Sequence, residues 1–175
     1  SPHLVDALIA IEDQRFRSHW GVDVVRIVGA MLANVREGRL AQGGSTLTQQ
    51  IVKNTFLTPE KTLRRKVEEQ FMALVLETRL TKDQILELYL NEIVLGQRGP
   101  FQIHGVGEAA RIFFGKDVSS ISLAEAATIA GVIQSPSRLS PFRNPERAKE
   151  RRDLVLREMA GTGYVSAEDA ATAAK

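Results

Sequence analysis

The amino-acid sequence predicts a mainly α-helical domain. Apolar residues recur at intervals of three and four along most of the 175-residue chain, which is the spacing of one helix face. Helix-start signals precede these runs, and no segment alternates apolar and polar residues convincingly enough to predict a long strand. The glycines within 96–103 allow one short hairpin there.

Capping residues and prolines predict the helix boundaries. Cap-plus-proline starts occur at Ser1-Pro2, Thr58-Pro59 and Asn144-Pro145, capping boxes at Thr81 with Gln84 and Ser122 with Glu125, and a simple cap at Ser166. The helix that opens after Thr58 is predicted to run to about Arg79, and the one after Thr81 to about Gly96. A polar, glycine-rich break is predicted over 34–45.

Composition describes one globular domain with room for a small lobe. Hydrophobic residues make up 43% of the chain and charged residues 25%, and the absence of cysteine excludes disulfides and thiolate metal sites. A net charge of +2 with 6% aromatic residues disfavours a nucleic-acid binder. No apolar run in the sequence approaches the ~20 residues that span a bilayer. Because the chain begins at Ser1-Pro2 without methionine, we expect it to be part of a longer protein.

Glu12 is the first candidate catalytic residue. On a helical wheel it falls in the middle of the apolar arc that Leu8 and Ile9 help to form. A carboxylate there loses hydration, which favours its neutral form and suits it to general acid or base work on a hydroxyl. The alternative is that the helix ends here and Glu12 points into solvent.

A second candidate is a charged face formed by Arg65, Lys66 and Glu69 in one predicted helix. The apolar stripe expected to face the core lies opposite and comprises Leu63, Val67, Phe71 and Leu74. An ordinary solvated set of ion pairs would explain the charges. Met72 and Leu76 continue the charged face, however, and this indicates a covered surface where two cations could hold a pyrophosphate.

A third candidate is the segment from Gly43 to Gln50, with Lys53 beyond it. Two glycines followed by hydroxyl and amide side chains at a helix start can bind an anion or a sugar hydroxyl. The simpler alternative is a Gly-Gly turn with Ser45 as the helix cap. The segment lacks the glycine-lysine-threonine order of a P-loop. The three histidines are too widely spaced to predict a histidine metal site.

Five motifs in this order resemble a known family, the peptidoglycan glycosyltransferases of glycosyltransferase family 51. The motifs are Glu12-Asp13-x-x-Phe16-x-x-His19-x-Gly21, Gly43-Gly44-Ser45-Thr46-x-Thr48-Gln49-Gln50 with Lys53, Arg65-Lys66-x-x-Glu69, Lys82-x-x-Ile85-Leu86-Glu87-x-Tyr89-Leu90-Asn91, and Ala109-Ala110-x-x-Phe113-Phe114-Gly115-Lys116. The family comprises the polymerase domains of class A penicillin-binding proteins and monofunctional transglycosylases. The resemblance covers nearly the whole chain, and the loop at 96–99 is closer to the 1b type.

The resemblance implies a lysozyme-like fold over 1–175, with a large head lobe, a small membrane-facing jaw lobe within about 34–64, and a cleft between them. It implies that Glu12 is the base that activates the acceptor 4-hydroxyl of lipid II, with inversion and loss of undecaprenyl pyrophosphate. Glu69, the second catalytic residue, would orient the cations or help to hold a divalent ion such as Mg or Mn, although no cofactor is predicted as a requirement. The substrate-binding residues it implies are Asp13, Phe16, His19, Gly44, Ser45, Thr46, Gln49, Gln50, Lys53, Arg65, Lys66 and Ser137.

The implied partners are lipid II, the growing lipid-linked glycan, the membrane surface and a fused or separate transpeptidase domain, without nucleic acid. The implied location is the periplasmic or external face of a bacterial cell membrane. Three other readings remain open at this point. A lytic transglycosylase or lysozyme-like hydrolase would shorten glycan, a non-catalytic module would bind nucleic acid with steep salt dependence, and a degenerate family member would only bind a partner.

Overall fold

The computed structural model describes residues 1–37, 44–58, 60 and 62–175, and these form nine α-helices and one two-stranded hairpin. The helices are α1 (Pro2–Glu12), α2 (Val24–Glu37), α3 (Leu47–Phe56), α4 (Leu63–Arg79), α5 (Lys82–Glu92), α6 (Gly105–Phe114), α7 (Leu123–Val132), α8 (Pro145–Gly161) and α9 (Ala167–Ala173). The antiparallel strands are β1 (Val94–Arg98) and β2 (Phe101–His104). The mainly α class and the short hairpin are therefore confirmed.

Three of the six predicted helix starts are confirmed by capping hydrogen bonds, and those at Ser1-Pro2 and Asn144-Pro145 are confirmed in position without a side-chain cap. The Thr81 amide donates to Gln84 Oε1 over 2.9 Å, and the Gln84 amide donates to Thr81 Oγ1 over 3.3 Å. Ser122 and Glu125 form the same reciprocal pair at the start of α7. Ser166 caps α9 through its side chain. Local sequence thus determines where these helices begin.

Three predicted boundaries are wrong. Helix α4 does not open after Thr58; it begins at Leu63, where the Thr62 hydroxyl accepts the Arg65 amide over 3.1 Å. The helix is thus capped by Thr62 and not by Thr58. Pro59 lies outside the described residues. The predicted break at 34–45 starts too early because α2 continues to Glu37; residues 38–43, with Gly38 and Gly43, are not described. Helix α5 ends at Glu92 rather than near Gly96, because the chain enters β1.

The chain divides into two compact units, of which the first comprises 1–14 and 89–175. Helices α1, α7 and α8 pack together in its core. Many of the buried side chains are small, including Ala7, Ala10, Ala127 and Ala130. Small residues at helix contacts permit close approach of the helix axes. The first unit therefore holds the end of α1, where Glu12 lies, against α7 and α8.

The second unit comprises 15–88, with α2, α3, α4 and most of α5. Thr46 caps α3 and also donates its hydroxyl to the Gly21 carbonyl over 2.6 Å. Gly21 has φ of +74°, and a Cβ there would lie 2.7 Å from the Ala73 carbonyl oxygen. The segment before α2 thus contacts the backbone of α4 directly, which only glycine permits. The jaw lobe predicted within 34–64 lies in this unit by residue number and stays a prediction.

The apolar stripe of α4 faces solvent, so the predicted core face of this helix is wrong. Leu63, Val67, Phe71 and Leu74 are 89%, 66%, 67% and 44% exposed. The buried residues of α4 are instead Glu69 and Ala73, on the charged face. Periodicity identifies two faces of a helix but does not say which one the neighbouring helices cover. Here α3 covers the charged face through the contacts of Ser45 and Thr48 described below.

None of the helices in the described ranges is both long and apolar enough to cross a bilayer.

Gly21→Ala is expected to destabilise the fold far more than Gly163→Ala. Both glycines have positive φ, of +74° and +79°, but nothing lies within 4 Å of a Cβ at Gly163. The conformational penalty alone is about 1–2 kcal/mol, and the backbone clash at Gly21 raises the total to about 3 kcal/mol or more. Urea unfolding of the two variants measures the difference. Equal losses would show that α4 moves aside to accept the methyl group.

Candidate active site

Glu12 is the last residue of α1 and is half-buried. The helix does end here, as the alternative interpretation required, but the side chain is not fully in solvent. Asp13, the next residue, is 1% exposed, and its amide donates to the Ile9 carbonyl over 3.1 Å. The chain is therefore fixed directly after the candidate base, and Glu12 is held at the edge of the first unit's core.

Two side chains that the sequence did not single out as site residues lie in the electrostatic field of Glu12. Tyr89 in α5 is 1% exposed, and its burial, with the negative charge of Glu12 as a smaller cause, raises its pKa well above the ordinary value. The phenol therefore stays neutral and keeps its O–H. Burial lowers the pKa of the Arg151 guanidinium in α8, while Glu12 and Glu158 oppose that shift. Glu12 thus has a neutral phenol and a guanidinium as electrostatic neighbours.

In the second unit, the charged face of α4 is built around the buried carboxylate of Glu69. Its Oε2 accepts from Arg65 Nη1 over 3.2 Å, and its Oε1 is in close contact with Lys66 Nζ. The Glu69 side chain is 2% exposed and that of Arg65 14%. The solvated set of ion pairs considered from the sequence is therefore wrong, and the covered face is confirmed. One buried negative charge holds two cations side by side.

Ser45 joins this cluster because another residue takes over the capping of α3. Thr46, and not Ser45, is the N-cap, and its hydroxyl and amide exchange hydrogen bonds with Gln49. The Ser45 hydroxyl accepts instead from Lys66 Nζ over 2.9 Å. Gly44 lies against α2, where a Cβ would come within 3.3 Å of Ile27 Cα. Gly43 lies outside the described residues.

Buried nitrogen atoms that have no hydrogen-bond partner among the described residues include two in α3 and α4. They are Nε2 of Gln49, a residue that is 1% exposed, and Nε of Arg65. Buried donors are normally paired, so an unpaired one at a candidate site calls for an explanation. Both atoms belong to residues that are predicted from the sequence to bind substrate.

A buried polar network fixes α3 and α5 to the C-terminal half of α4. Glu77 Oε1 accepts from Thr48 Oγ1 and from Lys82 Nζ, each over 2.7 Å. Lys82 Nζ also lies 4.5 Å from the centroid of the Phe16 ring, a cation–π distance. These contacts hold the helix that carries Glu69 in register with the helix that begins beside Ser45.

The remaining predicted site residues divide by exposure. Phe16 is fully buried and His19 is 6% exposed, with their rings in an edge-to-face contact of 6.1 Å. Gln50 is partly buried, and Lys53 is exposed in the last turn of α3. Ser137 is exposed between α7 and α8 of the first unit. Phe16 and His19 therefore shape the second unit from within, whereas Lys53 and Ser137 are accessible.

The surroundings of Glu69 do not suit a divalent metal ion. Both carboxylate oxygens already accept from cationic side chains, which place positive charge where a metal would sit. Among the described residues there is no group of three or more His, Cys, Asp or Glu side chains able to hold a metal. Glu69 is placed to fix Arg65 and Lys66, and the divalent ion that the resemblance allows, without requiring it, stays a prediction.

Each unit of this helical domain carries candidate site residues. The first unit carries a half-buried carboxylate with Ser137, and the second carries paired cations with hydroxyl and amide donors. The transglycosylase family model matches residues 1–160, and the chain belongs to this family.

Curated and solved relatives agree with the family match. The chain is 51% identical over 156 residues to penicillin-binding protein 1B of Haemophilus influenzae, which covers 89% of the chain and 20% of that protein. It is 47% identical over 166 residues to penicillin-binding protein 1A of Aquifex aeolicus, which covers 95% of the chain and 22% of that protein. The crystal structure of penicillin-binding protein 1A from Haemophilus influenzae matches with a TM-score of 0.50 and 32% identity over 74% of the chain and 15% of that protein.

The chain thus spans about a fifth of the length of the curated relatives that it matches. The comparisons confirm a class A peptidoglycan glycosyltransferase domain and are consistent with the predicted lysozyme-like fold. Relatives of the 1A and 1B types match at similar identity, so the assignment stands at the level of class A.

Glu69→Gln is expected to destabilise the second unit by about 2–4 kcal/mol, because it leaves two cations without their buried counterion. Glu68→Gln is a matched control on the same helix, since Glu68 pairs with Arg64 at side-chain exposures of 46% and 90%. An exposed pair of this kind contributes less than about 1 kcal/mol. Urea unfolding of both variants tests the contrast. A Glu69→Gln loss as small as that of Glu68→Gln would mean that the cluster is an ordinary surface ion pair.

Proposed function

We propose that this domain polymerises lipid II into β-1,4 glycan strands, with Glu12 as the general base and the α4 cations as the pyrophosphate site. The observation that carries the proposal is the buried Arg65–Glu69–Lys66 cluster. An enzyme that cleaves finished glycan needs an acidic residue but no site for a pyrophosphate leaving group. Two cations held together by one buried carboxylate favour a substrate that is activated by pyrophosphate.

The proposed step begins when the Glu12 carboxylate accepts the proton of the acceptor sugar's 4-hydroxyl. The hydroxyl oxygen then forms a bond to the anomeric carbon of the lipid-linked growing chain. The bond from that carbon to the pyrophosphate oxygen breaks, and undecaprenyl pyrophosphate leaves with the electron pair. Attack opposite the leaving group inverts the linkage from α to β. A half-buried carboxylate at a rigid helix end is suited to this proton transfer.

The cations of the second unit would stabilise the pyrophosphate leaving group. Negative charge on the pyrophosphate grows as the bond breaks, and fixed cations stabilise the transition state most where that charge develops. Arg65 and Lys66 would supply this charge, with Lys53 as a further exposed cation. Glu69 would hold the first two in place, because it contacts both.

Neutral donors complete the proposed substrate site. Ser45 contacts Lys66, and Gln49 has a buried amide nitrogen that a sugar or phosphate oxygen could pair. Gln50 and exposed Ser137 would add contacts to the substrate, and the fully buried Thr46 would hold the start of α3 in place. The other predicted residues would not touch the substrate but would support the residues that do. They are Asp13, Phe16, His19 and Gly44.

Glu12→Gln is expected to abolish glycan polymerisation without unfolding the domain, because it keeps the side chain's shape and removes the base. The assay incubates the chain with lipid II in detergent and separates the glycan products on a gel, with and without a chelator to test the divalent-ion requirement. Asp6→Asn, an acidic residue on the same helix, is the control and should retain activity. Normal chain growth by Glu12→Gln would remove Glu12 from the mechanism, and shortened glycan from the unaltered chain would favour a lytic enzyme.

We propose that the domain acts at the outer face of the bacterial cell membrane, where its lipid-linked substrate would lie. The exposed apolar stripe of α4 supports this location. Helix α2 and the residues near it also expose apolar side chains: Trp20, Val24, Val25, Val28 and Leu32 are 72%, 66%, 61%, 50% and 59% exposed. Apolar surface on this scale is typical of a protein or membrane interaction site. A fused or separate transpeptidase domain stays a prediction.

The double substitution Val67→Ser with Phe71→Ser is expected to weaken binding to anionic phospholipid vesicles, because it removes apolar area from the α4 stripe. Each buried apolar side chain of this size contributes about 1.5–3 kcal/mol, so the vesicle affinity should fall at least tenfold. Phe101→Ser is the control, since Phe101 is 74% exposed but belongs to the first unit. Co-sedimentation with vesicles measures binding, and equal losses in the two variants would contradict a specific role for α4.

A further inference from the structure

Helix α4 buries a second carboxylate, that of Glu77, to which the proposed function gives no role. The Glu77 side chain is 4% exposed, and its Oε1 accepts from Thr48 Oγ1 and from Lys82 Nζ, each over 2.7 Å. Thr48 is fully buried on α3, and Lys82 is the first residue of α5. A single oxygen of Glu77 therefore ties α3 and α5 to the last turn of α4.

Lys82 fixes Glu77 to parts of the second unit other than α3. Its ammonium pairs with the carboxylate and also lies 4.5 Å from the centroid of the fully buried Phe16 ring. A charge-assisted hydrogen bond and a cation–π contact thus act on the same side chain. Because Glu77 is anchored independently of α3, it can serve as a fixed point for Thr48.

The start of α3 has another contact with α4, made by Ser45. The Ser45 hydroxyl accepts from Lys66 Nζ over 2.9 Å. Lys66 and Glu77 lie about 16 Å apart along the axis of α4, yet both contact the chain within one turn of the start of α3. Contacts at two separate points on α4 determine both the position and the direction of this turn.

The apolar contacts of α3 would not determine that position as sharply. Leu47, Ile51 and Val52 are buried, but hydrophobic burial is non-directional and changes little when a helix slides slightly. A hydrogen bond weakens steeply with distance and angle. A buried ion pair is moreover weak evidence for a stabilising role, since apolar residues of similar volume often give equal or greater stability. A defined register for Ser45 accounts for the buried polar groups at this place.

We propose that Thr48 and Glu77 are positioning residues that hold the Ser45 hydroxyl against Lys66, so that the ammonium presents its remaining donor to the pyrophosphate in one orientation. The inference rests on the proposed function of the α4 cations. Lys66 Nζ contacts Glu69 and Ser45, its side chain is 39% exposed, and an ammonium has three donors. A displaced Ser45 would release Lys66 to other rotamers, and a fixed cation stabilises the transition state better than a mobile one.

The first test measures kcat and KM for lipid II polymerisation by Thr48→Val and Thr48→Ser, at a temperature where both variants are folded. Thr48→Val removes the hydroxyl and keeps the branched shape. We expect kcat to fall about tenfold with KM near that of the unaltered chain, because the misplaced cation serves the transition state. Thr48→Ser keeps the hydroxyl and should recover most of the loss. An unchanged kcat in Thr48→Val, or an equal loss in Thr48→Ser, would overturn the proposal.

Thr78→Val is the matched control, since it exchanges a hydroxyl for a methyl group on the residue next to Glu77. The Thr78 hydroxyl donates only to the Val75 carbonyl of its own helix, over 2.7 Å, and the residue is exposed. Turnover by Thr78→Val should therefore be normal. A loss equal to that of Thr48→Val would show that any altered hydroxyl near the end of α4 has this effect, and the positioning role would be wrong.

A double-mutant cycle distinguishes positioning through Ser45 from a general loss of structure. Ser45→Ala removes the hydroxyl that Thr48 is proposed to place, so adding Thr48→Val to it should lower kcat by about twofold at most. A further loss of about tenfold in the double variant would overturn the proposal. Thr48→Ala takes the place of Thr48→Val in both tests where the valine variant does not fold.

Lys66→Met separates this inference from the proposed function. Normal polymerisation by Lys66→Met would overturn Lys66 as part of the pyrophosphate site, and the positioning role with it. A severe loss in Lys66→Met beside an unchanged Thr48→Val would leave the cation site assigned and overturn the positioning role alone.

Discussion

The second unit depends on one buried negative charge. Glu69 holds the largely buried Arg65 and the partly exposed Lys66, and the cost of burying the Glu69 charge is offset only while both of its carboxylate oxygens are engaged. This fixes the face of α4 that turns inward. It also explains why Ser45 does not cap α3, since its hydroxyl accepts from Lys66 instead. Helix orientation, the capping of α3 and the grouping of cations therefore follow from the same ion cluster.

The first unit holds a single carboxylate, that of Glu12, at the end of helix α1. Alanines and Gly131 let α1, α7 and α8 pack closely in the core of this unit. In this unit the charge of Glu12 acts on an arginine of α8 and on a tyrosine of α5.

Local sequence predicted the features that depend on neighbours in the chain. The capping boxes at Thr81 and Ser122 and the i,i+4 pairing of Arg65 with Glu69 needed no knowledge of distant residues. The burial of α4 could not be obtained in this way, because two amphipathic faces look alike until the packing partner is known. The effect of Glu12 on Arg151 was likewise hidden, since the two are far apart in sequence and a basic helix gives no sign of which arginine turns inward.

Helix α4 carries exposed apolar side chains on one face and the cation cluster on the other. With side chains, an α-helix is about 10–12 Å across. When the apolar face rests on the hydrocarbon boundary of a membrane, the cations stand about one helix width above it, at the depth of the lipid headgroups. In the proposed function, the helix would set Arg65 and Lys66 at the depth of a lipid-linked pyrophosphate, and the polymer would grow away from the bilayer.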